Sequence, residues 1–354
     1  MQATTQQSDC KVHRTGHTLC TYFDRSYLVR GLSLYESLVR HWPAPFELVI
    51  LCLDHDVYRV MGALKLPHVR LMTLSELEAS DPALLHARHD RSTVGYYLTT
   101  GPSLIRHLLP GSDAVVYLDA DLFFFSSAEP ALREFSAGSI YVHEHRPDHP
   151  ELDVSAGRFN VGMVGIRNDE QGRVCVDLWR KRCLEWCEHA RVDGRFGDQK
   201  YLDEWPKRFD RLVVARCRGV GAGPWNLSDL HYSTADDGQV QVDSEPLVFF
   251  HFTRLERIAP GIVRTFATSY LPSLPPTVRR HVYRPYLQSL RKQSRRIAAM
   301  DHGFAAPFER VMGGGHDVYA GAASMPNAPW RRAISLVRGL STGELMLSWG
   351  NLAF

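Results

Sequence analysis

The sequence predicts an α/β protein, a mixed and mainly parallel sheet flanked by helices and followed by a basic, largely helical C-terminal region. Three observations predict it. The near-continuous apolar run FELVILCLD ends in an aspartate, the pattern of a central parallel strand covered on both faces. It follows a strand-like HTLCTYF and a helix-like YLVRGLSLYESLVRH, so strand, helix and strand succeed one another as in a βαβ unit. Beyond about Ala259 the character changes, and TVRRHVYRPYLQSLRKQSRRIAAM carries seven Arg and Lys residues and no acid.

Taken in order, residues 1–16 read as a polar tail with no apolar core, so no secretory signal is expected there. Residues 17–258 read as the α/β domain. In its first helix Leu28, Leu32, Tyr35 and Val39 recur at helical spacing. Tyr96 to Leu109 reads as a second helix, stopped by Pro110 and Gly111, that delivers the chain into AVVYLDAD. SIYVH, FNVGMVGI, RLVVARC and LVFFHF read as further strands. Between them, Gly172 to Ala190 reads as an amphipathic helix with Cys175, Trp179, Cys183, Trp186 and Cys187 on one face. Residues 259–354 form the basic region. LPSLPP breaks the chain, a helix follows, and Gly313 to Gly315 precede PWRRAISLVRGL, where Trp330, Ile334 and Val337 share one face and Arg331 and Arg338 lie off it. Such a segment either packs its apolar face on the core or docks onto an anionic membrane surface.

The 354 residues suffice to bury a substantial core, and a formal charge of +2 gives no whole-protein argument for binding nucleic acid. Seven cysteines, Cys10, Cys20, Cys52, Cys175, Cys183, Cys187 and Cys217, show neither disulfide nor zinc-ribbon spacing, which predicts a reducing, cytoplasmic setting. Cys183 and Cys187 have no matching His or Cys pair and are expected in the core. No segment reaches the ~18 uninterrupted apolar residues of a membrane span, so any membrane contact is expected to be peripheral, at the inner face of the cytoplasmic membrane.

The chemistry centres on Asp119 and Asp121 in AVVYLDADLFFFSS, two carboxylates between a buried strand and three phenylalanines. Buried carboxylates need compensation. Just past a strand end both can project to one point, where a hard divalent cation, Mg²⁺ or Mn²⁺, binds oxygen ligands and keeps positions open for phosphate oxygens. A helix cap or turn is the bland alternative. A phosphatase of the haloacid dehalogenase type would place Asp-x-Asp near the start of its domain with a following Thr or Ser, and a pyrophosphorylase would need an N-terminal glycine-rich loop. CTYFDRSY is no such loop.

Other residues join this pattern. GRFNVGMVGIRND places Asn160 and Gly162 at a strand start, an amide for sugar hydroxyls and a glycine where something approaches closely. DGRFGDQKYLDEWP sets Asp198 and Gln199 after a glycine-containing turn, and LVFFHFTRLER ends a strand with His251, a third metal ligand through a ring nitrogen. The stretch HEHRPDHPELDVSAGR reads as a solvated loop or a cover over the site.

From about His17 to Ile258 the sequence resembles nucleotide-sugar-dependent glycosyltransferases of GT-A (Rossmann-like) fold, above all family 8 and related bacterial nucleotide-diphospho-sugar transferases. CTYFDRSYL, YLDAD, FNVG, DQKYL and HFTRLER stand in that family's order. The resemblance implies donor binding by Thr21, Tyr22, Asp24, Ser26, Asp119, Ala120, Asp121, Asn160, Gly162 and Arg257. It implies a metal held by Asp119, Asp121 and His251, and catalytic roles for Asp198 and Gln199 at the anomeric centre. The implied activity is transfer of a sugar from a UDP-sugar or another nucleotide-diphosphate donor to a saccharide or lipid-linked acceptor, with Mn²⁺ or Mg²⁺ and with retention. The family's Arg is absent near LTTGPSL, Arg254 stands where a glycine is usual, Lys200 replaces an acid, and the Pro-Trp after the diphosphate-binding position is missing while GPWNL occurs upstream. A non-catalytic sugar-nucleotide-binding protein on the same scaffold and a membrane-peripheral adaptor are the alternatives.

Overall fold

The computed structural model describes residues 17–147, 156–259, 261–301 and 337–347. The polar tail, residues 148–155 of the His-rich loop, Gly313 to Gly315, Trp330 and Ile334 lie outside the described residues. A seven-stranded sheet runs in the order β3-β2-β1-β4-β7-β6-β8. Its strands are β1 (His17–Phe23), β2 (Phe46–Cys52), β3 (Val69–Thr73), β4 (Ala114–Leu118), β6 (Ile140–Glu144), β7 (Phe159–Arg167) and β8 (Leu212–Val214). β1 pairs in parallel with β2 and β4, β2 with β3, and β6 with β8, whereas β7 is antiparallel to both β4 and β6. The sheet is therefore mixed and mainly parallel, with helices on both faces, as the sequence predicts.

The βαβ start is present, with α1 (Leu28–His41) between β1 and β2. Its buried stripe is Leu28, Leu32, Leu34, Tyr35 and Leu38, and Val39, expected on that stripe, is 53% exposed. Leu34 and Leu38, four residues apart, form a second buried row beside Leu28, Leu32 and Tyr35 and widen the buried face. α2 (His55–Leu64), α3 (Leu74–Ser80) and α4 (Pro82–Ala87) lead to α5 (Thr93–Leu108), which starts three residues before Tyr96 because Ser92 caps it by accepting from the Gly95 amide.

α6 (Glu129–Phe135) precedes β6, and α7 is Glu170–Glu185, ending before the expected Ala190. The Arg91 guanidinium bonds the carbonyls of Cys183, Leu184 and Cys187, so the end of the helix is satisfied from outside. Cys175, Trp179, Cys183 and Cys187 are buried as expected, while Trp186 lies past the helix end beneath the Arg195 guanidinium at 4.8 Å.

LVFFHF departs most from expectation. β12 (Phe249–His251) pairs with β5 (Leu122–Phe124) in a separate antiparallel ribbon, with His251 opposite Leu122. Between them β9 (Tyr232–Thr234), β10 (Val240–Val242) and β11 (Glu245–Pro246) form a small meander. β13 (Glu256–Ala259), β14 (Ile262–Arg264) and β15 (Leu345–Leu347) form a third sheet. α8 (Arg284–Met300) lays Tyr286, Leu287, Leu290 and Ile297 into the core and turns Arg295 and Arg296 outward. Val337, the one described member of its expected apolar face, is 67% exposed.

Candidate functional site

The three phenylalanines after Asp121 are what bring the site together. Phe123 and Phe124 are buried on β5, and their pairing with Phe250 and Phe249 on β12 fixes the register that sets His251 next to the Asp-x-Asp turn. The turn is held on its other side by β7, where the Asp119 amide donates to the Gly162 carbonyl at 2.9 Å. The Phe252 amide donates to the Asp121 carbonyl at 3.0 Å and closes the ribbon below it.

His251 Nε2 lies 3.1 Å from Asp121 Oδ1 and 3.6 Å from Asp119 Oδ2. Asp121 and His251 are buried, and Ala120 between the carboxylates is packed into the core. Burial pushes the Asp119 carboxyl up, against the pull of the His251 ring. For Asp121, burial also disfavours charge, but the His251 ring and the Arg30 guanidinium outweigh it and hold this carboxyl below its ordinary value. His251 is raised despite its burial, because both carboxylates stabilise its charged form.

Asn160 sits on β7 two residues before Gly162, so both face the same side. Its Oδ1 accepts from the Gly162 amide at 2.7 Å and lies 3.2 Å from His251 Nδ1. The backbone N–H of Gly162 can only donate, which fixes that atom of Asn160 as the oxygen and makes His251 Nδ1 a donor. His251 Nε2 is left to face two carboxylates. Two carboxylates and an imidazole lone pair, all within 4.8 Å of one another, are the donor set of a divalent cation, and without one a proton must take its place on the ring. Among the described residues this is the only cluster of at least three such groups that meets that spacing.

Asp198 follows Gly197, whose φ of +53° turns the chain inward at a position that suits glycine. The Asp198 carbonyl accepts from the Trp179 indole at 2.9 Å, and the carboxyl is buried near Gly101 of α5. Burial, with the Asp119 charge added, pushes Asp198 up to about 7. Tyr22 is held protonated well above its ordinary range by burial and then by Asp198 and Asp119, and its ring lies 5.6 Å from that of Tyr117, whose hydroxyl donates to Asp119 at 2.6 Å. Gln199 is spanned by backbone, accepting from the Val161 amide at 3.3 Å and donating to the Ala156 carbonyl at 3.0 Å.

The remaining expected residues stand on β1, in the turn after it and on β13. Thr21 is fully buried on β1. Asp24 accepts from the Ser26 amide at 2.9 Å and from the Ser26 hydroxyl at 2.6 Å, a local turn after β1. Arg257 is half-buried on β13 opposite Val263, and Lys200 pairs with Asp203 at 2.8 Å. Sequence reasoning missed Arg30, a 3% exposed cation on α1 that donates to the Leu255 carbonyl and lies 4.2 Å over the Tyr27 ring. The signal was an arginine inside an apolar helix run. Trp225 of GPWNL was also missed, and its ring meets that of His251 edge-on at 5.3 Å.

No family model matches the chain. Over 240 residues it is 32% identical to the uncharacterized protein YfnD of Bacillus subtilis (strain 168), covering 66% of this chain and 76% of that protein. The uncharacterized protein YfnF of the same organism is 31% identical over 245 residues, covering 66% and 80%. The chain belongs to the family of these two proteins. Among solved structures it is similar to mouse xyloside xylosyltransferase 1 in its apo form, at 14% identity and a TM-score of 0.43 over 68% of this chain and 98% of that one. It is similar also to the galactosyltransferase LgtC in complex with donor and acceptor sugar analogs, at 17% identity and a TM-score of 0.42 over 75% and 100%.

Proposed function

We propose that the protein is a metal-dependent glycosyltransferase of GT-A fold that moves a sugar from a nucleoside-diphosphate donor, with UDP as the nucleotide, to a saccharide or lipid-linked acceptor. The observation that carries this reading is the convergence of Asp119, Asp121 and His251 Nε2 at one point, with the buried Asp198 carboxyl near enough to Tyr22 and Asp119 to be raised by the Asp119 charge. Asp119, Asp121 and His251 would hold Mn²⁺ or Mg²⁺. When bound, such a cation neutralises charge building on a departing diphosphate.

The protein's own groups divide the remaining work. Tyr22, Asp24 and Ser26 form the nucleoside-binding edge at the end of β1, with Thr21 buried behind it, and Arg257 supplies positive charge towards the diphosphate. A carboxyl with its proton lost near pH 7, as at Asp198, carries negative charge that stabilises an oxocarbenium-like sugar, and Gln199 fixes the backbone around it. In a retaining reaction the leaving phosphate takes the acceptor proton, so Asp198 needs no role as base. The outward Arg295 and Arg296 of α8 supply the charge for contact with an anionic membrane surface.

The test is thermal stabilisation by UDP, GDP, dTDP and CMP, each with Mn²⁺ and again with EDTA, followed by release of nucleoside diphosphate from candidate sugar donors. A nucleotide-specific shift that vanishes with EDTA and in Asp121→Asn is the expected result. A folded protein that no nucleotide stabilises overturns the donor reading, and nucleotide binding without turnover of any donor favours a non-catalytic binding protein.

A further inference from the structure

We propose that His145 and Asn160 are positioning residues, a hydrogen-bonded relay that holds His251 as an Nδ1–H donor and aims its Nε2 at Asp119 and Asp121. The metal role of His251 rests on the function proposed above; the relay itself rests on hydrogen-bond directions alone.

Those directions are fixed from both ends. At one end, the Gly162 amide identifies Oδ1 of Asn160 and so makes Nδ2 its other terminus. At the far end, His145 Nδ1 lies 2.9 Å from the Gly157 carbonyl, which can only accept, so Nδ1 carries the proton and Nε2 of His145 keeps its lone pair. Nδ2 of Asn160 lies 3.0 Å from that lone pair. The two determinations meet at Asn160 and agree: Gly157 carbonyl, His145, Asn160, His251, with every donor facing an acceptor. Reversing any member would break the Gly162 or the Gly157 bond inside a buried site.

The surroundings hold His145 in that state. Burial pushes its pKa down to about 4, so the ring is neutral around pH 7 and its Nε2 can accept. Its backbone carbonyl accepts from the Trp225 indole and from the Asn226 amide, both at 2.8 Å. The Trp225 ring then meets both imidazoles edge-on, His145 at 5.2 Å and His251 at 5.3 Å. GPWNL therefore clamps the relay from one side. A metal-binding imidazole whose second nitrogen is fixed in this way keeps its orientation and basicity, and loss of such partners costs 10- to 100-fold in metal affinity.

The experiment is a Mn²⁺ titration of the full chain without nucleotide, in wild type, Asn160→Ala, His145→Leu and His145→Gln, with circular dichroism as the control for folding. It is paired with proton–nitrogen NMR of the His251 ring. Tenfold or weaker Mn²⁺ binding is expected in Asn160→Ala and His145→Leu. Binding within about threefold of wild type is expected in His145→Gln, whose side-chain oxygen can still accept from Asn160. The Nδ1–H resonance of His251 should be protected in wild type and lost to exchange in Asn160→Ala. Unchanged Mn²⁺ affinity in folded Asn160→Ala and His145→Leu, or a wild-type His251 without a proton on Nδ1, overturns the relay. If wild type binds no Mn²⁺ yet its Nδ1–H resonance depends on Asn160, the relay stands and the metal reading falls.

Discussion

A Cβ added to Gly162 would lie 2.9 Å from Nδ1 of His251 and 2.6 Å from Oδ1 of Asn160. Neither neighbour can step aside, because each is bonded to the other and Asn160 is also bonded to the Gly162 amide. Gly162→Ala should therefore lower Mn²⁺ affinity at least tenfold by turning the His251 ring. Gly101→Ala is the control. Its Cβ would meet Tyr22 at 3.5 Å and Asp198 at 3.9 Å, ordinary contacts, so calorimetric titration should find its Mn²⁺ affinity unchanged. Equal behaviour of the two variants would remove the steric account of Gly162.

Asp198 gives the protein a pH dependence of definite sign. Its carboxyl, ordinarily near 3.8, is raised to about 7 by burial and by Asp119, so between these values the folded chain holds a proton that the unfolded chain has released. Stability from this group is then lost as pH rises from about 4 to about 7. In urea unfolding with EDTA present, Asp198→Asn should be the more stable protein at pH 8, by up to about 4 kcal/mol, and should match wild type below pH 4. A constant difference at all pH values would mean that the carboxyl stays ionised in its pocket.

What was legible in the sequence was set by local rules. Apolar runs and turn residues marked β1, α1, β2, β4 and β7, and the acidic pair followed from the cost of burying carboxylates. The partner of LVFFHF was not legible, because pairing of β12 with β5 across more than a hundred residues leaves no periodic trace. The same holds for His145 and Trp225, which reach His251 only through the tertiary fold. The end of α7 was misjudged for a similar reason: Arg91, which satisfies its last carbonyls, lies about ninety residues away. Arg30 alone carried a local signal, a charge on an apolar helix.

Arg30 compensates Asp121 from within the core. Its guanidinium donates to the Leu255 carbonyl, lies over Tyr27 and holds the Asp121 carboxyl down. Removing a buried cation leaves the acidic pair without part of its balance, so Arg30→Met should destabilise the metal-free protein by a few kcal/mol. A divalent cation would then take over the missing charge. Scanning fluorimetry should show a larger Mn²⁺-induced rise in melting temperature for Arg30→Met than for wild type. Equal rises would reduce Arg30 to a packing role.

Glu36 ties the basic C-terminal region to the wall of the site. On α1 it accepts from Ser289 at 2.9 Å, from Gln293 at 2.7 Å and from Lys292, all on α8. Although burial opposes it, these bonds hold the Glu36 carboxyl below its ordinary value, so their stabilisation is present above about pH 4.5 and fades as pH falls through the lowered value. α8 in turn stacks Tyr286 on Phe252 at 3.8 Å, and Phe252 is the residue after His251 that bonds the Asp121 carbonyl. Glu36→Ala leaves the buried Gln293 amide without its acceptor, at a cost of about 1–3 kcal/mol. Hydrogen exchange should accelerate along α8 and at the Phe252 amide together. Acceleration confined to α8 would mean that the helix can loosen without disturbing the floor of the acidic site.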